Sequence, residues 1–236
     1  MSCENEHFHG HSHSHSHGDG EDHSHTAPIP TSEAQNLREY IDFFKLTALN
    51  IEQPNSQLQD VFKPTASKFT LDKHIDSDSD AQFVLNIPFT GNVKLYSLVL
   101  RTSGEAGACP KTIKLFKNKN NIDFDNASDV KPTHKIEHPN VGTLDSSGVD
   151  NTEDTFVEHH LPRALFQGTT HLTLFVEDNW SDDEDDTTRV YYIEVRGAFT
   201  SALSKEPVIA LYEAAANPAD HKNMVGQEVG NHANIN

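Results

Sequence analysis

Among the residue types that could do chemistry, histidine is the most concentrated in one part of the sequence. Eight of the 16 histidines lie within residues 1–27, where they alternate with serine and glycine. Neutral imidazoles can bind Zn²⁺, Ni²⁺ or Cu²⁺, but a structural zinc site needs ligands fixed in tetrahedral geometry. The tract has almost no large apolar residue to fold it, so we expect loose, pH-dependent metal affinity and no resident metal. The candidate ligands are His9, His11, His13, His15 and His17.

Carboxylates form a second concentration at residues 177–186, whose sequence is Glu-Asp-Asn-Trp-Ser-Asp-Asp-Glu-Asp-Asp. Clustered carboxylates can bind Ca²⁺, but the ligand spacing of an EF-hand is missing here. A charged run between two predicted strands is typical of a solvated loop or an interaction segment. Tryptophan at the edge of such a loop either lies at the rim of the core, the commoner position, or anchors a partner. The candidate partner-surface residues are Trp180, Asp182, Asp183, Asp185 and Asp186.

Motifs of catalysis are missing from the sequence. It contains no G-x-S-x-G elbow, no phosphate-binding glycine loop and no Cys-x-x-Cys pair, and its two cysteines are Cys3 and Cys109. His159 and His160 are adjacent on a predicted strand, so they face opposite sides and cannot share a metal; we interpret them as edge or loop residues. These observations predict a protein that is not an enzyme and needs no cofactor.

The overall charge limits the classes of partner. The net charge is −18, of which residues 1–27 contribute five acids and no base. Such a surface repels phosphate backbones and anionic membranes, so we expect neither nucleic acid nor membrane as a partner. No apolar run approaches the length of a membrane span, and two isolated cysteines favour a reducing compartment. We expect a monomer.

Short apolar runs dominate the rest of the sequence and predict an all-β fold. Each run is rich in Val, Ile, Phe, Tyr or Thr and is followed by turn residues, which is typical of an antiparallel β-sandwich or jelly roll. The predicted strands are 83–87, 93–100, 112–116, 133–136, 155–159, 172–176, 190–195 and 208–212. In the seventh strand the alternation puts Glu194 and Arg196 on the solvent face.

The remaining segments complete the predicted organisation. Helical spacing at 33–46, with Thr31-Ser32 as a cap, predicts a short N-terminal helix, although 46–51 could equally begin a strand. Residues 88–92, Pro-Phe-Thr-Gly-Asn, predict a tight connection between two strands with Phe89 in the core. One domain over 28–222 is expected between a disordered His-rich tail at 1–27 and a disordered polar tail at 223–236.

Five segments are specific in combination, namely 60–64 (Asp-Val-Phe-Lys-Pro), 77–80, 87–95, 114–118 and 187–197. Together they resemble successive blocks of the PITH domain, the C-terminal module of proteasome-interacting thioredoxins, over about residues 38–200. The segment 212–222 and the His-Gly-Ser start resemble the stand-alone PITH domain-containing proteins. Of these segments, 187–197 (Thr-Thr-Arg-Val-Tyr-Tyr-Ile-Glu-Val-Arg-Gly) is the most telling.

This resemblance implies a jelly roll of galactose-binding-like topology, located in the cytoplasm and nucleus. It also implies association with the 26S proteasome through the regulatory particle, without the redox activity of the thioredoxin-fused members. The alternative that the residues leave open is a ligand-binding β-sandwich, for carbohydrate or a metal ion. No family catalytic residue exists to be carried over to this chain.

Overall fold

The computed structural model describes residues 29–181, 183 and 186–202. These residues belong to the first of two units, residues 1–201, apart from Ala202, which begins the second. The predictions for the histidine tract, the strand at 208–212 and the polar C-terminal tail therefore lie outside the described residues. Within them, no helix is long and apolar enough to cross a membrane.

Eight strands and six short 3₁₀-helices form the regular structure of the described residues. The strands are β1 (Thr47–Leu49), β2 (Ile75–Asp76), β3 (Phe83–Thr102), β4 (Thr112–Lys117), β5 (His134–Glu137), β6 (Phe156–His160), β7 (Thr169–Val176) and β8 (Arg189–Ala202). The 3₁₀-helices are Glu33–Gln35, Arg38–Tyr40, Asn55–Val61, Thr65–Ser67, Ala106–Ala108 and Glu153–Thr155. The registered strand pairs are antiparallel, so the all-β antiparallel class is confirmed.

Strand β3 organises the sheet because its two halves have different neighbours. Residues 83–93 of β3 pair with β7 on one side, and β4 and β5 follow beyond β7. On the other side, this half of β3 pairs with β1. Residues 97–101 pair with β6. Strand β8 lies along the same half, since the Ser103 amide donates to the Arg189 carbonyl and the Thr200 hydroxyl donates to the Asn92 carbonyl. The sandwich therefore consists of two layers that share one bent strand.

The predicted tight connection at 88–92 is wrong, because the chain continues as β3 through this segment. A shift of register between Pro88 and Val93 marks the bend instead. Proline lacks a ladder donor, and glycine admits a close neighbour, so this segment suits a bend where strand partners change. Indeed a Cβ on Gly91 would overlap with the Phe199 ring. Phe89 is buried, as predicted.

Side chains from both layers join one apolar core. Leu85 and Leu174 come from the first layer, and Leu98 and Val195 come from the second. At roughly 1.5–3 kcal/mol for each large aliphatic side chain removed from water, this core is the main source of stability. A smaller cluster covers the opposite face of the first layer and consists of Val84, Phe116, Ile122, Ala127 and Phe175.

The predicted helix at 33–46 is replaced by two separate 3₁₀ turns. Some of its backbone groups close these turns, but others bind strands: the Leu37 amide donates to the Val195 carbonyl, and the Asp42 amide donates to the Pro88 carbonyl. Leu37 and Ile41 are buried as the spacing required, but Phe44 is fully exposed. The apolar spacing reflected contacts with the sheet rather than a continuous helix.

The prediction that Glu194 faces solvent is also wrong, since its residue is only 3% exposed. Two donors compensate for the burial of its carboxylate. The Arg196 Nε donates to Oε1 at 2.7 Å, and the Tyr192 hydroxyl donates to Oε2 at 2.7 Å. Burial and the neighbouring Glu194 raise the pKa of Tyr192 well above its usual value. A buried carboxylate is stable only with such partners, so this network is part of the fold.

Candidate functional site

Three loops meet at one end of the sandwich, and we call the described residues of 103–110, 138–150 and 177–188 the loop end. The first loop connects β3 with β4, the second follows β5, and the third connects β7 with β8. Hydrogen bonds join them: Asn179 Nδ2 donates to the Gly107 carbonyl at 3.0 Å, and the Gly104 amide donates to the Thr143 carbonyl at 2.8 Å. The antiparallel arrangement brings the ends of five strands together here and so positions these loops.

Trp180 is fixed at the loop end but is not covered by it. Its backbone amide donates to the Cys109 carbonyl at 3.0 Å, and its indole Nε1 donates to the His138 carbonyl at 2.9 Å. The Lys111 ammonium lies 5.0 Å from the ring centroid, within the range of a cation–π contact. The residue remains 40% exposed, so a held aromatic face is open to solvent.

The acidic run has an ordered base. Asn179 is buried and donates through Nδ2 to the Asp186 carbonyl as well, at 3.1 Å, while its Oδ1 accepts from the Ser181 amide at 2.9 Å. The Ser181 hydroxyl donates to Asp186 Oδ2 at 2.5 Å, and the Asp183 amide donates to the Ser181 hydroxyl. Asp186 therefore helps to close the loop. The candidates Asp182 and Asp185 lie outside the described residues.

A polar cavity of about 180 Å³ opens between the first two loops and the start of β8. Its lining includes an ion pair in which Arg189 Nε and Nη2 donate to the two Asp76 oxygens at 2.6 and 2.8 Å. Burial acts to raise the pKa of Asp76, but hydrogen bonds from His74 and Arg189 outweigh it and lower that pKa to about 2. The pair is therefore ionised on both sides at neutral pH. Sequence analysis missed it, although Arg189 lies in the most telling segment.

A wider hollow of about 400 Å³ lies against the 177–183 segment and is acidic. Its carboxylates already have partners in the fold. Glu177 accepts from the Lys114 ammonium at 2.7 Å, and Asp178 accepts from the Thr112 amide at 2.6 Å. Across the described part of the chain, no group of three or more His, Cys, Asp or Glu is placed to hold a metal ion.

A pair of histidines lies behind Trp180 and was not predicted. His138 is buried, with Nδ1 2.8 Å from His159 Nε2 and Nε2 3.3 Å from the Thr102 hydroxyl. Burial lowers the pKa of His138 to about 3 and that of His159 to about 4. Both rings are neutral at pH 7, so one donates the shared hydrogen bond. His160, the next residue along β6, is exposed, which agrees with the prediction that the neighbours face opposite sides.

The segments that carried the resemblance mostly hold the fold together. The buried Lys63 ammonium donates to the carbonyls of Thr70, Lys73 and Tyr191 at 2.6–2.8 Å. It thereby ties segment 60–64 to strand β8, and burial lowers its pKa to about 8. A Cβ on Gly197 would overlap with a carbonyl oxygen of β3. These residues therefore identify a family through its scaffold. A surface that binds a partner or ligand must be sought among other residues.

Comparison with known proteins agrees with the segments. The model of the PITH domain matches residues 27–216. A PITH domain-containing protein of Drosophila pseudoobscura is 36% identical over 196 residues, covering 81% of this chain and 85% of its own. PITH domain-containing protein 1 of Danio rerio is 37% identical over 183 residues (77% and 79%), and that of Homo sapiens is 32% identical over 183 residues (77% and 78%).

Similar solved structures include carbohydrate-binding domains. The CBM32-1 and CBM32-2 domains of Clostridium perfringens ZmpB superpose with a TM-score of 0.44 at 12% identity, covering 68% of this chain and 36% of theirs. CBM32-3 from a family 31 glycoside hydrolase of the same organism gives 0.40 at 10% identity, covering 71% and 100%. Scores this low carry no argument about ligands. The family match and the curated relatives are decisive: the chain belongs to the PITH domain family.

Proposed function

We propose that this protein is a non-enzymatic interaction module that docks on the regulatory particle of the 26S proteasome through its loop end. The PITH resemblance supports the choice of partner, and it supports a location in the cytoplasm and nucleus. The observation that carries the choice of surface is Trp180, held by two hydrogen bonds yet 40% exposed. Anchors of this kind dominate the energetics of interfaces.

Exposed aliphatic residues on the neighbouring loop extend the apolar part of this surface. Leu144 is 76% exposed and Val141 is 38% exposed, and both lie on the loop whose His138 carbonyl holds the Trp180 indole. The loop is tied to β3 by Thr102, which donates to the Val141 carbonyl at 3.2 Å. Preordered loops lose little conformational freedom on binding, which favours affinity.

Charge supports a basic partner surface. The described residues of the loop end include Glu177, Asp178, Asp183 and Asp186, and the whole chain has a net charge of −18. Complementary charge accelerates encounter and selects the orientation more than it adds affinity. Because the Debye length is about 8 Å at physiological ionic strength, rising salt should weaken the complex mainly by slowing association.

The carbohydrate alternative receives less support from this geometry. A sugar site combines an exposed aromatic platform with convergent polar groups in a concave surface. Here Trp180 is not among the residues that line the 180 Å³ cavity. The aromatic residue that does line it, Tyr191, is buried and donates its hydroxyl to the Asp145 carbonyl at 3.2 Å. The two features of a sugar site are thus separate.

Co-purification tests the proposal. Proteasomes isolated at low salt, through a tag on a proteasome subunit, should carry the untagged protein, and the retained amount should fall as salt rises. Nickel resins must be avoided, because the histidine tract at 9–17 could bind them directly. Absence of the protein from intact 26S particles in repeated low-salt preparations would refute the proposal, and retention on a galactose or N-acetylgalactosamine resin would support the alternative.

A further inference from the structure

The cavity of about 180 Å³ at the loop end has walls of three different kinds. One is the ion pair of Asp76 and Arg189, whose charges neutralise each other. Another is apolar and includes Leu144. The third is acidic, because Glu105 and Asp145 also line the cavity and are exposed there. Among the ion pairs of the described residues, neither of these two carboxylates takes part.

Neither carboxylate is therefore held in an ion pair of the described fold, and the only further cation that acts on Asp145 there is the buried Arg101, which is paired with Asp150. Arg189 does not compensate the two carboxylates, because both Asp76 oxygens accept from its guanidinium group at 2.6–2.8 Å. An anionic ligand would be repelled by Glu105 and Asp145. A bare divalent cation would lack ligands, since Ca²⁺ takes six to eight oxygens and part of the wall is aliphatic.

We propose that this cavity receives a lysine or arginine side chain of the docking partner. Such side chains place a methylene stem against apolar surface and keep the charged group among polar partners. The Leu144 side chain suits the stem, and the carboxylates of Glu105 and Asp145 suit the cation. The volume of about 180 Å³ is many times the roughly 10–15 Å³ that one water needs, so the cavity has room for the five heavy atoms of a lysine side chain or the seven of an arginine side chain.

This inference rests on the proposed function and names what the loop end recognises. Trp180 offers an apolar contact, and the cavity offers a site for a cation, on loops joined by the hydrogen bond from Asn179 to Gly107. The partner is therefore expected to present a basic residue close to an exposed apolar residue. The cation fixes orientation, and the apolar contact supplies most of the affinity.

An NMR titration of the full chain, labelled with ¹⁵N, can test the cavity without the proteasome. The probes are n-butylammonium and n-butylguanidinium, and 1-butanol is the uncharged control. Both cations should shift the amide resonances of Ser103, Ser146 and Arg189 at millimolar concentration, whereas butanol should shift them far less. Equal shifts with butanol, or cation shifts spread evenly over the acidic surface, would overturn the proposal.

A matched pair of double variants tests the carboxylates. The cavity variant, Glu105→Gln with Asp145→Asn, should bind the cations roughly fivefold more weakly, from the typical range of exposed ion pairs. The control, Glu39→Gln with Asp154→Asn, removes two exposed carboxylates of equal charge elsewhere and should bind like the parent. Equal weakening in both variants would refute a local site and indicate a general field.

The outcomes also separate this inference from the proposed function. Proteasome co-purification without localised cation binding would overturn the cavity assignment and leave the docking role intact. Localised cation binding without proteasome co-purification would support the cavity and refute the proteasome as partner. Because all four substituted residues are exposed, both double variants should fold. Their far-ultraviolet circular dichroism spectra should match that of the parent.

Discussion

Mild acid should destabilise the fold through the histidine pair behind Trp180. His138 and His159 share a hydrogen bond of 2.8 Å, and burial lowers their pKa values to about 3 and about 4. An unfolded chain would bind protons on both rings near the ordinary histidine pKa of about 6.5. A histidine whose folded pKa is depressed stabilises the fold fully above pH 6.5, and this stability is lost as the pH falls toward the folded pKa.

The size of the effect depends on the pH range over which the unfolded chain takes up protons, and hardly on the exact folded pKa values. At pH 5.5, holding one imidazole neutral costs about 1.4 kcal/mol relative to the unfolded chain. The pair should therefore lose about 3 kcal/mol between pH 7.5 and pH 5.5. Burial also lowers the pKa of His134 and of His171, which adds a loss of the same sign. Asp76, with its pKa lowered to about 2, contributes only at lower pH.

Urea unfolding at pH 7.5, 6.5 and 5.5 measures this directly. Trp180 is the only tryptophan, so its fluorescence reports on the loop end, and circular dichroism reports on the sheet. The range stays above the sequence isoelectric point of about 5.2, where solubility falls. The free energy of unfolding should drop by about 3 kcal/mol or more across the range.

Two variants identify the source of the pH dependence. In His138→Phe the drop should shrink by about half, since one of the two protonation sites is gone. In His160→Gln, which alters the exposed neighbour on the same strand, the drop should remain. An unchanged drop in His138→Phe, or a parent drop below about 1 kcal/mol, would refute the reasoning from the histidine pair.

Three further predictions concern scaffold and tail. Gly197→Ala should lower the free energy of unfolding by about 1–3 kcal/mol, because its Cβ overlaps with the Lys94 carbonyl; an unchanged denaturation midpoint would contradict this. Lys63→Met should cost about 2–4 kcal/mol, since three carbonyls lose their donor, whereas Lys73→Met at an exposed ammonium should cost under about 0.5 kcal/mol in the same assay. Deleting residues 1–26 should leave the melting temperature unchanged and remove most affinity for immobilised nickel; retained tight binding would indicate histidines elsewhere.

The strands were predictable because their signal is local. Alternation and turn residues at 112–116, 172–176 and 190–195 correspond to β4, β7 and β8 with ends shifted by few residues or extended. The bend in β3 was not predictable in this way, because Pro88 and Gly91 occur equally in tight turns. Its continuity depends on which strands lie beside each half, and that is decided by the whole sheet.

The predicted helix failed for a related reason. The spacing of Leu37 and Ile41 is helical, but their segment finds better backbone partners in β3 and β8 than in itself. The prediction for Glu194 failed because segments distant in sequence cover its face of the sheet. One of these segments contains Thr31, whose hydroxyl donates to Glu158 beside Arg196. Local periodicity carries no information about such coverage.

Candidate surface residues were located only in part by sequence reasoning. Trp180 and the acidic loop stand out by composition, so both could be identified as candidates directly from the sequence. The ion pair of Asp76 and Arg189 and the contact between His138 and His159 join residues far apart in the chain, and no spacing rule links them. A charge pattern within one loop is visible in a sequence, whereas a cavity between loops is not.

The affinity of the purified protein for isolated 26S proteasomes, compared between Trp180→Ala and Phe44→Ala, tests the central claim most directly. Both changes remove an exposed aromatic ring, but Phe44 lies outside the loop end. We predict that Trp180→Ala weakens binding at least about 30-fold, equivalent to a loss of about 2 kcal/mol, with an unchanged circular dichroism spectrum, and that Phe44→Ala binds like the parent. Equal affinities of parent and Trp180→Ala, or a loss confined to Phe44→Ala, would contradict docking through the loop end.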